Sequence, residues 1–106
     1  MAAPRYLYLT ARAATRAIRE RAAVTDNVIL TEHAQLRMVE RDISAPEVFT
    51  ILRRGTVHAP PILTDEGEWK AEIALRLPGS GDAAVVRVFR EGDRLVVVTV
   101  MWRELK

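Results

Sequence analysis

Hydrophobic and polar positions follow helical spacing in the first part of the chain. Residues 7–23 are rich in Ala and Arg and contain no Gly or Pro, so propensity predicts a helix there. Its apolar stripe consists mostly of small side chains. We therefore expect this helix to lie on the surface or to be added to the main fold from outside.

Two further helices are predicted after an apolar run that ends at residue 30. Thr31 suits an N-cap for a helix that runs to about Arg41. Ser44-Ala-Pro-Glu47 has the sequence of a capping box, with proline in the first turn. We expect this third helix to end at Arg53-Arg54, with Gly55 as its C′ residue.

Beyond residue 55 the pattern changes to that of extended chain. Strands are predicted over residues 56–59, 69–77, 83–90 and 94–102. In the second of these, odd positions are apolar and even positions carry Lys70, Glu72 and Arg76, which indicates one buried face. The last strand is apolar on both faces, so it lies inside the sheet with both faces covered, or keeps one face for a partner.

Composition limits the classes of function. The 106 residues suit one domain, and the net charge of +2 is no strong nucleic-acid signal. The excess positive charge lies at the N-terminus, since residues 1–27 carry a net charge of +3 and the remainder −1. Without cysteine, disulfides and thiolate chemistry are excluded, and with two histidines no metal or other cofactor is expected. No apolar run is long enough to span a bilayer, so the expected location is the cytoplasm.

The second predicted helix carries an unusual stripe of basic side chains. His33, Arg37 and Arg41 are four residues apart, which places them within roughly 80° on one helix face. Arg37 can reach Glu40, but no acidic residue lies three or four positions from Arg41. We therefore expect a tertiary carboxylate or a bound anion beside Arg41.

Together with residues of the sheet, this stripe would suit metal-free RNA cleavage by attack of the ribose 2′-hydroxyl. The expected roles are proton transfer by His33, stabilisation of the phosphorane by Arg37, Arg41 and Lys70, a hydrogen bond to phosphate from Thr99, and base stacking by Trp69 or Trp102.

Structural alternatives stand beside each of these roles. The stripe could form salt bridges with Glu66, Glu68 or Glu72, and Lys70 could be a solvated strand lysine. Thr99 could simply fill a strand position, and one of the two tryptophans belongs to the core.

The pattern also resembles a known family. His33-x3-Arg37-Met38-x2-Arg41-x-Ile43-Ser44, a helix ending at Gly55 and strands closing on Val98-Thr99-Val100 are similar to the domain-of-unknown-function family 4258, over about residues 28–103. That family looks related to the barnase, EndoU, colicin and RelE-like ribonuclease-toxin group. By position, the family's histidine, arginines and late threonine fall on His33, Arg37, Arg41 and Thr99.

The resemblance implies an α+β fold with N-terminal helices packed on a four-stranded antiparallel sheet, as in RelE-like toxins. Residues 1–27 would be a helical extension and residues 28–106 a single domain. The implied function is a metal-independent ribonuclease of toxin type, with RNA as substrate and an antitoxin or immunity protein as partner. The alternative is a non-catalytic RNA-binding or protein-interaction module.

Overall fold

The computed structural model describes residues 10–63, 68–79 and 82–103. These residues form three α-helices and a sheet of six strands. In chain order the elements are α1 (Ala11–Ala22), a 3-10 turn (Thr25–Asn27), β1 (Val28–Leu30), α2 (Glu32–Arg41), α3 (Ala45–Arg54), β2 (Thr56–Val57), β3 (Ile62–Leu63), β4 (Trp69–Arg76), β5 (Ala83–Glu91) and β6 (Arg94–Arg103). Residues 7–9 of the first predicted helix lie outside the described residues.

The predicted helix boundaries are confirmed where capping side chains define them. The Thr31 hydroxyl oxygen accepts from the Ala34 amide at 3.0 Å and so caps α2. The helix ends at Asp42, whose left-handed backbone (φ 54°) stops it after Arg41. In α3 the capping box forms in both directions between Ser44 and Glu47.

Gly55 ends α3 for a different reason from the predicted one. It is the C-cap and has an extended backbone (φ −76°, ψ −178°), which any residue can adopt, rather than the left-handed one typical of a C′ glycine. A Cβ atom at this position would lie 2.5 Å from the Ile51 carbonyl oxygen and 2.8 Å from the Ala74 carbonyl oxygen. Glycine is therefore required because the end of α3 lies directly against β4.

The sheet is larger than the predicted four antiparallel strands, and that prediction is wrong. Its order is β1-β6-β5-β4-β2, with β3 also pairing with β4. β1 runs parallel to β6, while the other pairs are antiparallel. The two additional strands, β1 and β3, contain only three and two residues, so they are too short to produce an alternating pattern.

An irregularity in the β5–β6 pair determines which side chains share a face. From the hairpin turn, Glu91 pairs with Arg94, and this register continues as far as Val88 with Val97. The next pair is Arg87 with Thr99, so Val98 is an extra residue in β6. Such a bulge reverses the faces of all later residues relative to an unbroken strand.

The helices pack on one face of the sheet, and the core lies between them. Ile73, Val86, Val97 and Val100 point to this face and are buried. Trp69 joins the same core with 2% of its surface exposed. We call the opposite side of the sheet the far face.

Helix α1 joins this core through its small side chains. Ala14, Ile18 and Ala22 are fully buried, and the helix packs against α3 and β2. The Thr15 hydroxyl accepts from the Val57 amide at 2.9 Å, so α1 also covers an edge of the sheet. The helix is thus added to the main fold through a buried stripe.

We expect Gly55→Ala to destabilise the protein by about 1–3 kcal/mol, because backbone atoms on both sides must shift to admit the Cβ atom. Urea unfolding followed by circular dichroism measures this. Arg54→Ala is the control, since that side chain is exposed at the preceding position and its replacement should change stability by less than about 0.5 kcal/mol. Equal stabilities of the two variants would contradict the packing argument.

Candidate functional site

The predicted stripe on α2 has a graded exposure. His33 is exposed, and Arg37 and Arg41 are half-buried as the stripe turns towards the sheet. Arg37 pairs with Glu40, as the spacing predicted. This pair lies at the surface and contributes little to stability, because water screens two side chains that keep 33% and 45% of their surface exposed.

Arg41 is held by the sheet and not by a carboxylate. Its Nη1 atom donates to the Val100 carbonyl oxygen at 3.2 Å, and the Trp102 indole N–H donates back to the Arg41 carbonyl oxygen at 2.7 Å. Among the described residues, no carboxylate lies within ion-pair distance of Arg41. The expected tertiary carboxylate is therefore not found there; a backbone carbonyl of β6 takes its place.

The other end of α2 is attached to the same strand. The Thr31 hydroxyl donates to the Val97 carbonyl oxygen at 2.8 Å, while its oxygen caps the helix. Contacts at Thr31 and at Arg41 therefore fix α2 along β6 at both of its ends. The stripe therefore has a structural role at Arg41, while its other end, at His33, is exposed.

The sheet residues predicted to face this stripe lie on the far face. Lys70 pairs with Phe89 in β4–β5, and Thr99 pairs with Arg87 across the bulge. Lys70 and Arg87 alternate with core residues along their strands, and directly paired residues point to the same side of a sheet, so Lys70 and Thr99 both lie opposite the helices. The structure does not bring Lys70 or Thr99 together with His33, Arg37 and Arg41.

The two tryptophans also differ from each other. Trp69 is buried in the core, so its ring has no free face for a base. Trp102 is half-buried against the core, and its indole N–H is engaged by α2. Of the predicted stacking residues, only Trp102 has exposed ring surface.

A basic cavity lies on the far face, around Lys70. Its volume is about 440 Å³, and its charged lining residues are His58, Lys70, Glu72, Arg87 and Arg103. All of these except Glu72 are exposed to solvent. The segment from His58 to Pro60 forms one wall, and Ala74 and Val85 contribute apolar surface.

One carboxylate organises the arginines of this cavity. Arg87 donates to Glu72 Oε2 through Nε (3.2 Å) and Nη2 (2.7 Å), and Arg103 Nη2 donates to Oε1 at 2.9 Å. The Arg87 hydrogen bonds lower the pKa of the Glu72 carboxyl below its ordinary value; burial opposes this effect, and Arg103 adds to it. Glu72 is therefore ionised at neutral pH and balances only one of the two guanidinium charges.

Three lining residues of this cavity are not among the site residues that the sequence predicts: His58, Arg87 and Arg103. Strand alternation does place Arg87 between two apolar neighbours and hence on a polar face. For Arg103, an unbroken alternation counted from the hairpin predicts the helix side of the sheet. The bulge places Arg103 on the far face instead. His58 gives no local signal, since it lies in an irregular segment after β2.

The predicted salt bridges of the stripe with acidic residues have different outcomes. Glu72 pairs with far-face arginines, while Glu66 lies outside the described residues.

Within the described ranges, no group of three or more His, Cys, Asp or Glu side chains is arranged to hold a metal ion. No described helix has the length and apolar character needed to cross a membrane.

Comparison with known proteins identifies the family. The model of the family described as a domain of unknown function, DUF4258, matches residues 30–102, well over half of the chain. The chain belongs to the DUF4258 family. No curated protein and no solved structure matches it. The DUF4258 region includes α2, α3, the strands from β2 to the penultimate residue of β6 and the described lining of the far-face cavity except Arg103, whereas α1 precedes it.

We expect the two arginines of the stripe to differ in their effect on stability. Arg41→Ala should lower the free energy of unfolding by about 1 kcal/mol, because it removes a part-buried hydrogen bond between α2 and β6. Arg37→Ala should change it by less than about 0.5 kcal/mol, since its ion pair is exposed. Urea unfolding of both variants checks this; a larger loss for Arg37→Ala would contradict the structural role of Arg41.

Proposed function

We propose that this DUF4258 protein binds RNA at the far-face cavity. The observation that carries the proposal is the grouping of Lys70, Arg87 and Arg103 around one open cavity, in which Glu72 is the one carboxylate among the described lining residues. With His58 neutral, these side chains have a net charge of about +2. A negatively charged ligand would therefore be attracted to this part of the sheet.

The geometry of the arginines favours phosphate among anionic ligands. Their planar guanidinium groups are suited to oxygen pairs, and the shared contact with Glu72 orients both before any ligand arrives. Lys70 forms no ion pair within the described residues, so its ammonium group is available to a phosphate. The volume of about 440 Å³ falls within the range of small-ligand sites and suits a nucleotide.

A neighbouring aromatic residue supports a nucleic acid in particular. Phe89 pairs with Lys70 across β4 and β5, lies on the same face and is half-buried. Bases stack on such rings with little sequence preference, which suits single-stranded RNA. The resemblance to the RelE-like and barnase-like group also implies RNA as the ligand.

Fluorescence anisotropy with a labelled single-stranded RNA tests this proposal. Lys70→Ala and Arg103→Ala should each raise the Kd about tenfold, and Lys70→Ala should reduce the slope of log K against log salt by about 0.7, because one phosphate contact is lost. Arg37→Ala removes the same charge from the opposite side of the sheet and should leave the Kd nearly unchanged. Unaltered binding by Lys70→Ala and Arg103→Ala, with loss in Arg37→Ala, would reject the far face.

Metal-independent RNA cleavage is the second candidate function, because His58 lines the same cavity as the basic residues. An imidazole has an ordinary pKa near neutrality and can accept the proton of the ribose 2′-hydroxyl. The 2′-oxygen would then bond to phosphorus while the bond to the 5′-oxygen breaks. The products are a 2′,3′-cyclic phosphate and a 5′-hydroxyl that has gained a proton, and the nearby cations would stabilise the phosphorane.

Incubation of purified protein with RNA in EDTA tests cleavage. We expect His58→Ala to abolish the appearance of cyclic-phosphate ends and His33→Ala to retain it, because only His58 lies at the cavity. Both variants should remain folded by circular dichroism, since both side chains are exposed. Absence of cleavage by the unmodified protein would leave RNA binding alone, and loss in His33→Ala only would assign the chemistry to α2.

A further inference from the structure

Helix α1 carries a second basic surface, which the proposed RNA site does not include. Arg12 and Arg16 are exposed, lie four residues apart and have no carboxylate within ion-pair distance among the described residues. Like charges at this spacing repel each other and disfavour the helix slightly. A negatively charged ligand would relieve this repulsion.

The two arginines line a concavity between α1 and the edge of the sheet. Its volume is about 420 Å³, and Thr15, Arg19, Glu20, Thr56 and Val57 complete its lining. Arg19 is already engaged, since it donates to the Gly55 carbonyl oxygen at 2.6 Å and to the Arg54 carbonyl oxygen at 3.0 Å. Glu20 is the acidic residue of the lining, so positive charge predominates.

This concavity adjoins the far-face cavity across a single pair of residues. Thr56, which lines the α1 concavity, pairs with Ala74, which lines the far-face cavity. Paired residues of antiparallel strands are about 5 Å apart. Arg76 lies on the same face as Ala74, two positions further along β4, and is exposed. Positive charge therefore continues from the cavity to the edge strand.

We infer that a single RNA strand bound in the far-face cavity continues over β2 and that its next phosphates contact Arg12 and Arg16. This inference rests on the proposed function and extends it, because it states over which strand of the sheet the RNA leaves the cavity and which second group of residues it contacts. Helix α1 precedes the residues matched by the DUF4258 family. The second region is therefore supplied by a segment outside the family domain.

Binding of a short and a long RNA to the double variant Arg12→Ala/Arg16→Ala tests the inference. Single-strand sites on small domains span roughly 4–16 nucleotides, so we choose oligomers of about 4 and about 12 nucleotides. The double variant should bind the long oligomer about tenfold or more weakly, with a salt slope smaller by about 1.4, because two phosphate contacts are lost. It should bind the short oligomer like the unmodified protein.

A matched control removes two positive charges elsewhere. Arg37→Ala/Arg90→Ala changes the net charge equally, and Arg90 pairs with the buried Leu95, so both residues lie on the helix side of the sheet. This control should bind both oligomers nearly as well as the unmodified protein. An equal loss in the control would show a general charge effect and overturn the inference.

The failures of the two proposals are distinguishable. If the unmodified protein binds neither oligomer, the proposed function fails. If it binds both, but Arg12→Ala/Arg16→Ala leaves the long oligomer unaffected or weakens both oligomers equally, the inference fails while the proposed function stands.

Discussion

The extra residue in β6 is the constraint on which the arrangement of this protein depends. Val98 has no partner of its own in β5, so the register moves by one residue between the hairpin and the end of the strand. Without that shift, Trp102 and Arg103 would exchange faces. The bulge therefore sends one side chain to the helices and the next to the opposite side.

Both consequences of the bulge are seen in hydrogen bonds. On the helix side, Trp102 donates to the last turn of α2, and Arg41 donates to the Val100 carbonyl. On the far side, Arg103 reaches Glu72 beside Arg87. The attachment of α2 and the assembly of the basic cavity thus have one geometric origin, although they lie on opposite sides of the sheet.

The edges of the sheet show how the fold protects exposed backbone. Thr15 of α1 accepts from the amide of Val57 at the β2 edge. At the other edge, the Gln35 side chain donates to the Leu30 carbonyl of β1 at 2.9 Å. Such side-chain caps occupy groups that could otherwise pair with another strand.

Local chemistry in the sequence determined the boundaries of α2 and α3, the buried row of β4 and the pairing of Arg37 with Glu40, because caps and fixed spacings act over a few residues. It did not determine the partner of Arg41 or the face of Thr99. Every position near Val98 is apolar or β-branched, so no alternation marks the bulge. Only the pairing of β5 with β6 decided that Lys70 and Thr99 lie away from the stripe on α2 and that Arg87 and Arg103 share one carboxylate.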